Sequence, residues 1–375
     1  MRRSRFLTTS ASVTATLGSP GVSRAAAPHT GEPLQTVPDH YAKLEAFLSF
    51  LQERNTSQYA RIPAGGIYEE SYVRIGGIDQ WVTIHGDNQA NPILLFVHGG
   101  PGDVTNPWTF VLFRSWRRHF TIVQWDQRGA GKTLGRSGPD IAPTITIDRM
   151  VQDGLELTEY LCSKLRKPKI IVVAHSFGTI LGLLMIGKMP DRYVAYIGTG
   201  QVADSTKNYS VAYAELLRYA RAMGNIEAVE ELMRAGPPPY SSGTGYQVQR
   251  KWSNAFEGAD EFLPGTIGLK LTAPGGGVQA VVDEADGELL SANGLVPQTR
   301  ILTEQDLGFD FRLPVFFVQG AIDFTTPTVA ARNYFNLISA PQKAFVTIPS
   351  GGHFSVFIHC DAFLNRVVGL LRPLQ

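Results

Sequence analysis

A serine near the middle of the chain stands where one apolar run meets another. Residues 170–179 read IIVVAHSFGT, and the helix-like stretch TILGLLMIGKM continues to residue 189. The first run predicts a buried strand and the second a helix, which leaves two interpretations of Ser176. It can be the N-cap of the helix, because a serine side chain accepts a hydrogen bond from the first helical turn. It can also be a nucleophile on a sharp strand-to-helix turn, for which Ala174 and Gly178 are small enough.

Two further polar residues follow apolar runs nearer the C-terminus. LPVFFVQGAIDFTTP predicts a buried strand and then a loop that carries Asp323, and KAFVTIPSGGHFSVF predicts the next strand and a Gly-Gly loop that carries His353. Taken singly, they can be a turn aspartate and a solvated loop histidine. In the chain order serine, aspartate, histidine they predict a catalytic triad. His353 would take the proton of the Ser176 hydroxyl, and Asp323 would orient the imidazole and stabilise its charged form.

A glycine-rich loop offers the donors that an attacking serine needs. LLFVHGGPGDV ends a predicted strand with HGGPG at residues 98–102. Glycine lets a backbone N–H approach a substrate oxygen without an intervening side chain. We therefore predict an oxyanion hole made of the N–H groups of Gly100 and Phe177. A plain Gly-Pro turn after the strand is the alternative.

The segment GAGKT at residues 129–133 suggests a nucleotide site but does not meet its requirements. A phosphate-binding loop needs a glycine five residues before Gly131, and that position holds Asp126. No group of Cys, His and Asp residues in the sequence has convincing metal-ligand spacing. We expect no cofactor and no metal, and we expect His98 and His175 to pack and hydrogen-bond beside the proposed centre.

The elements that must position these residues alternate along the chain. Strand candidates occur at residues 93–97, 120–125, 170–173, 193–197, 315–318 and 344–348, with a hairpin around 76–77 and helices over 39–55 and 146–165. Several strand candidates are almost continuous apolar runs, as in strands covered on both faces. The alternation predicts an α/β fold with a mostly parallel central sheet and helices on both faces. Residues 203–307 contain mainly helical patterns, which indicates an insertion.

Composition excludes several classes of partner. The 375 residues carry a formal net charge of +1, so neither a nucleic acid nor an anionic membrane surface is expected as the main partner. No stretch of the sequence has the roughly 18 apolar residues of a membrane span. The two cysteines, Cys162 and Cys360, are too few for a disulfide framework and are expected to pack in the core.

The N-terminal segment has the layout of an export signal. Arg2 and Arg3 precede Phe6 and Leu7, and alanines at 25–27 offer a small-residue cleavage site. We expect export to the periplasm or secretion through a twin-arginine-like signal. A cytoplasmic protein with a disordered N-terminal tail is the alternative.

Taken together, the motifs resemble those of α/β-hydrolases of the proline iminopeptidase family. They are HGGPG at 98–102, DQRGAGKT at 126–133, the turn at Ser176, GAIDFTTP around Asp323 and GGHF at 351–354. The resemblance covers about residues 72–201 and 313–375. It implies an α/β-hydrolase fold with an inserted helical cap. The chain would then divide into an export signal (1–27), a first part of the core (28–202), a helical cap (203–307) and a second part of the core (308–375).

The resemblance also implies an activity, the release of an N-terminal residue, often proline, from small peptides. In the family, acidic residues of the cap bind the substrate's ammonium group, and the nearest match is WSNAFEG. This suggests Glu257 as the anchor, with Trp252 and Phe256 lining the pocket, although a surface carboxylate is the alternative for Glu257. The segment AHSFG departs from the family's usual GGSWG, and a histidine before the serine is common in esterases and other hydrolases of this fold. An esterase or lactonase for a small hydrophobic substrate is therefore the first alternative, and a non-catalytic binding protein is the second.

Overall fold

A computed structural model describes residues 37–240 and 243–374 of the chain. The predicted export signal at residues 1–27 lies outside these ranges. From Leu44 onward the chain forms one compact unit. No described helix is both long enough and apolar enough to cross a membrane.

Within the described residues one sheet contains eight strands. They are β1 (Ile67–Ile75), β2 (Ile78–Gly86), β3 (Ile93–Val97), β4 (Thr121–Trp125), β5 (Ile170–His175), β6 (Tyr193–Thr199), β7 (Val315–Gly320) and β8 (Lys343–Ile348). Their order is β1-β2-β4-β3-β5-β6-β7-β8. The β1–β2 hairpin and the β2–β4 pair are antiparallel, and all other neighbours are parallel. The predicted mostly parallel sheet and the predicted hairpin are confirmed.

Helices cover both faces of this sheet. The described helices outside the insertion are α1 (Val37–Tyr59), α2 (Asn106–Leu112), α3 (Gly131–Ser137), α4 (Ile147–Lys164), α5 (Phe177–Lys188), α12 (Thr328–Leu337), α13 (Ser355–Ile358) and α14 (Cys360–Leu371), of which α1 is not among those that cover the sheet. Leu95 and Val172 belong to an apolar cluster that includes α4 and α5, whereas their neighbours Phe96 and Val173 belong to one that includes α14. Successive strand residues face opposite sides, so burial on both sides explains the continuous apolar runs.

Between β6 and β7 the described chain is helical. It forms α6 (Asn208–Ala222), α7 (Ile226–Ala235), α8 (Gly243–Glu257), α9 (Ala259–Thr272), α10 (Val278–Thr299) and α11 (Glu304–Leu307). Leu216, Leu232 and Trp252 form an apolar cluster there, and Phe324 of the loop after β7 joins it. We call residues 203–307 the helical segment. Its separation from the core as a cap domain stays a prediction.

Candidate active site

Ser176 occupies a strained turn between β5 and α5. Its φ and ψ are 54° and −126°, in a region that residues with a side chain rarely adopt. Helix α5 starts at once, and a Cβ added to Gly178 would lie 2.3 Å from the carbonyl oxygen of Val97. The Ser176 side chain makes no capping hydrogen bond. The N-cap interpretation is therefore wrong, and the hydroxyl has another partner.

That partner is the imidazole of His353, which in turn contacts Asp323. The Nε2 atom of His353 lies 2.9 Å from the Ser176 Oγ, and its Nδ1 atom lies 3.1 Å from Asp323 Oδ2. Asp323 follows β7 and His353 follows β8, so the carboxyl ends of neighbouring parallel strands bring them to one edge of the sheet. The three side chains that the sequence singled out form one hydrogen-bonded chain. This arrangement can pass a proton from a hydroxyl to an imidazole.

The Asp323 carboxylate is held by two residues that sequence reasoning missed. Gln319 Nε2 donates to Oδ2 at 2.8 Å. The backbone N–H of Thr326 donates to Oδ1 at 2.7 Å, and the Thr326 hydroxyl donates to Oδ2 at 2.9 Å. An aspartate whose side chain accepts hydrogen bonds from the residues just after it forms a local turn. Thr326, three residues after Asp323, could therefore have been found from the sequence as the partner of such a turn.

The surroundings of His353 favour its charged form. Burial of the ring lowers its pKa, but the charge of Asp323, its hydrogen bond and the charge of Glu257 outweigh burial and raise the pKa above the ordinary value. With Nδ1–H directed at Asp323, Nε2 is free to receive the Ser176 proton. The imidazolium that forms on proton transfer is thereby stabilised.

The glycine loop after β3 packs against the serine turn. A Cβ on Gly99 would lie 2.9 Å from the Ser176 Cβ, and Gly100 has a φ of 110°, which favours glycine. The buried His98 holds this loop, because its Nδ1 donates to the Gly99 carbonyl at 2.9 Å and its Nε2 accepts from the Gln127 N–H at 3.2 Å. Burial lowers the pKa of His98 and so favours this neutral form.

The two donors predicted for the oxyanion belong to the two segments that meet at Ser176. Phe177 is the first residue of α5, so its N–H has no partner within the helix. Gly100 belongs to the loop that packs against Ser176. The assignment of these two N–H groups to an oxyanion hole stays a prediction.

Glu257, at the end of α8, is buried rather than a surface carboxylate. Its Oε1 accepts from the N–H groups of Phe324 at 2.7 Å and Thr325 at 3.1 Å, and its Oε2 accepts from the His353 N–H at 2.7 Å. Only 5% of the residue is exposed. Both carboxylate oxygens therefore bind the main chain of the loops that carry Asp323 and His353.

The two aromatic residues predicted beside Glu257 belong to the apolar interior of the helical segment. Trp252 is buried and donates its Nε1–H to Glu231 at 2.9 Å. Phe256 packs against Trp252 with ring centroids 5.6 Å apart. Substrate contact by either ring stays a prediction.

A group of carboxylates lies where α10 meets the glycine loop. Oxygens of Asp103, Glu284 and Glu288 lie within 4.8 Å of one another. Lys270 Nζ lies 2.7 Å from Glu284 Oε1. Burial and the neighbouring Asp103 raise the pKa of Glu284 to about 9. We call these three residues the acidic trio, which sequence reasoning missed because Asp103 lies far in sequence from the two glutamates of α10.

The DQRGAGKT segment forms a closed turn after β4. The Asp126 carboxylate accepts from Asn106 Nδ2 at 2.9 Å and from the Lys132 N–H at 3.1 Å, and burial raises its pKa to about 6. Thr133 Oγ1 accepts from the Trp81 N–H at 2.9 Å. The Lys132 N–H, a backbone donor that a bound phosphate would need, is therefore already bonded to the Asp126 carboxylate.

Comparisons with known proteins agree with this fold. A family model described as alpha/beta hydrolase fold matches residues 92–359. A probable aminopeptidase, YbaC of Bacillus subtilis (strain 168), is 25% identical over 298 residues, which make up 78% of this chain and 93% of that protein. The crystal structure of a proline iminopeptidase from Mycobacterium smegmatis has a TM-score of 0.60 at 19% identity and covers 82% of this chain and 98% of that one. A proline iminopeptidase-related protein from Thermus thermophilus has a TM-score of 0.57 at 18% identity, with the same two coverages.

Proposed function

The chain belongs to the α/β-hydrolase fold family, and from this premise we propose that it is a serine hydrolase that releases the N-terminal residue of small peptides, an aminopeptidase of the proline iminopeptidase type. The hydrogen-bonded chain from Ser176 through His353 to Asp323 carries this proposal. Support for the peptidase activity comes from the similarity to the probable aminopeptidase of Bacillus subtilis.

The reaction would proceed through an acyl-enzyme. Ser176 Oγ attacks the carbonyl carbon of the first residue while His353 Nε2 takes the hydroxyl proton. The oxyanion that forms is stabilised by the N–H groups of Gly100 and Phe177. His353 then returns the proton to the leaving amine, and the C–N bond breaks. Water, deprotonated by His353, hydrolyses the ester on Ser176 and restores the hydroxyl.

An aminopeptidase also needs an anchor for the substrate's ammonium group, and the acidic trio is suited to this role. It lies on α10 and on the residue after the glycine loop, and Gly287 of α10 packs against Gly102. The raised pKa of Glu284 keeps that group protonated near pH 7, but the carboxylates of Asp103 and Glu288 still outnumber the neighbouring cation Lys270. A substrate ammonium would offset that excess, since opposite charges attract each other.

The contacts of Glu257 favour the second candidate, an esterase or lactonase. The anchor that the sequence suggested is already bound to three backbone N–H groups and so is not free to bind an ammonium. A small ester or lactone needs no such anchor and would use the same acyl-enzyme chemistry.

Two measurements test these proposals. A fluorophosphonate probe is expected to label the folded protein once, at Ser176. Absence of labelling would contradict the proposal that the protein is a serine hydrolase. Turnover of a prolyl arylamide is then compared with that of its N-blocked form and of a simple aryl ester. We expect the free amine to react with the highest kcat/KM. A higher kcat/KM for the blocked amide or the ester would contradict the aminopeptidase and favour the esterase or lactonase.

We also propose that the chain is exported, on the basis of the N-terminal arginine pair and the alanines at 25–27. N-terminal sequencing of the protein from its native host tests this. A mature chain that lacks the first residues is expected, and an intact Met1 would contradict it.

A further inference from the structure

One buried carboxylate joins the helical segment to both loops of the triad. Glu257 is the last residue of α8. Its carboxylate binds the N–H groups of Phe324 and Thr325 in the loop after β7 that carries Asp323, which we call the aspartate loop. It also binds the N–H of His353 in the loop after β8, which we call the histidine loop. The Thr325 hydroxyl adds a fourth hydrogen bond, at 3.3 Å. Each of these donors is one or two residues from Asp323 or belongs to His353 itself.

The packing around Glu257 leaves little room for movement. A Cβ added to Gly352 would lie 2.5 Å from the Glu257 Cβ, so the histidine loop approaches α8 as closely as a glycine allows. On the other side, Phe324 packs against Tyr219 of α6, with ring centroids 5.3 Å apart. The aspartate loop is thus attached to the helical segment by an apolar contact as well as by the carboxylate.

Such a carboxylate is retained in a buried position only if its oxygens are satisfied. Removing an ionised group from water is costly unless hydrogen bonds replace the water, and bonds from N–H groups to a carboxylate are among the stronger ones in proteins. Here they run between segments far apart in sequence, residue 257 on one side and residues 324–353 on the other. Movement of α8 away from the core would therefore break bonds to both loops.

We propose that Glu257 is a positioning residue, which sets the main chain of the Asp323 and His353 loops and makes the geometry of the triad depend on the docking of the helical segment. This inference rests on the proposed function, since it assumes that the triad is catalytic. It differs from the anchor role predicted from the sequence, because Glu257 acts on the triad and does not touch the substrate.

The test separates the two roles by comparing kcat with KM for two substrates. Glu257→Gln, Glu257→Ala and the wild type are assayed on an aryl ester and on a free-amine arylamide. Glu231→Gln is the matched control, since Glu231 is a carboxylate of the helical segment that binds Trp252 and Lys251 instead of the triad loops. A displacement of about 1 Å at a catalytic group costs on the order of 10²-fold in rate. For Glu257→Ala we expect a loss of kcat of about that size on both substrates, with KM within about twofold of the wild type.

The glutamine variant keeps the test decisive if the alanine variant does not fold. An amide retains an acceptor for one loop but presents N–H groups to the other, so an intermediate loss of kcat is expected on both substrates. A rise in KM confined to the free-amine substrate, with kcat unchanged, would overturn the positioning role in favour of an anchor. Wild-type kinetics in Glu257→Gln would overturn it as well. A wild type that fluorophosphonate does not label would instead overturn the proposed function.

Discussion

His175 holds the main chain of His353. Its Nε2 atom lies 3.0 Å from the His353 carbonyl oxygen, and the two rings have centroids 4.9 Å apart. Burial, and then the nearby His353, lower the pKa of His175 well below the usual value. The ring is therefore neutral, and its Nε2–H donates. Because Glu257 binds the N–H of His353, the peptide groups on both sides of this residue are fixed.

Replacing His175 by phenylalanine is expected to destabilise the fold and slow the reaction. The aromatic ring is kept, but the buried carbonyl of His353 loses its donor, which costs about 1–3 kcal/mol in the free energy of unfolding. Urea unfolding measures this cost. His175→Gln is the control, since its side-chain amide retains a donor. Equal stability of the two variants would show that the hydrogen bond to His353 contributes nothing.

Replacing Ser176 by alanine is expected to lower kcat by about 10⁴-fold or more, as loss of a serine nucleophile does in other hydrolases. Fluorophosphonate labelling should disappear, and the melting temperature should stay near that of the wild type. Ser115→Ala is the control, because this half-buried serine bonds Asp361 and is not part of the triad. Residual activity of Ser176→Ala near the wild-type level would exclude the acyl-enzyme mechanism.

The acidic limb of the pH–rate profile is expected to lie above the ordinary histidine pKa. His353 must be neutral to accept the serine proton, so kcat/KM rises with pH through its pKa, which its surroundings raise. Glu257 also titrates in this range, because burial and the charge of Asp323 raise its pKa to about 7. Protonation of either group on acidification lowers the rate.

Glu257→Gln should move this limb to lower pH for two reasons that act in the same direction. The substitution removes a negative charge that raises the His353 pKa, and it removes the titration of Glu257 itself. Asp323 and His175 are the other titratable groups beside His353 and remain unchanged. A limb that stays in place, or moves to higher pH, would contradict the assigned charge states.

The sequence predicted the elements and the triad because both depend on local patterns. A strand buried on both faces is a continuous apolar run, so a polar residue in the turn or loop that follows one, such as Ser176, Asp323 or His353, is a candidate for a functional role. The sequence left the N-cap alternative for Ser176 open, because the backbone angles and the contact with His353 exclude it only in three dimensions. The contacts of Glu257 and of the acidic trio depend on how distant segments pack, which no local pattern encodes.

Individual helices of the insertion were harder to predict for a different reason. Helix α9 contains Pro264 and α10 contains Pro297, together with glycines such as Gly287. These residues disfavour a helix interior by propensity. Tertiary packing outweighs that preference here, since Gly287 allows α10 to approach the backbone of Gly129.

A buried ion pair is expected to stabilise the β1–β2 edge of the sheet. Arg128 Nε lies 2.8 Å from Asp153 Oδ2, both side chains are almost fully buried, and the guanidinium also donates to the Gly76 carbonyl of the β1–β2 turn. Asp153→Asn leaves a buried charge poorly compensated, so we expect a loss of about 3–5 kcal/mol in the free energy of unfolding.

The control for this pair is Asp79→Asn, which removes ion pairs with the exposed side chains of Arg74 and Arg136; about 0–1 kcal/mol is expected for each of them. Both are measured by urea unfolding. Similar values for Asp153→Asn and Asp79→Asn would mean that the buried pair does not secure the turn.

Two glycines of α5 should respond to alanine in opposite directions. A Cβ at Gly178 would lie 2.3 Å and 2.5 Å from the carbonyl oxygens of Val97 and His98, so the helix must move away from β3 and carry the Ser176 turn with it. We expect Gly178→Ala to lower both the melting temperature and kcat. Gly187, in the same helix, has open space where a Cβ would be, and its replacement by alanine should add about 0.5–1 kcal/mol of stability with unchanged kcat. Calorimetry and ester kinetics on both variants check this, and a Gly178→Ala enzyme as active and stable as Gly187→Ala would contradict the close packing of the serine turn against β3.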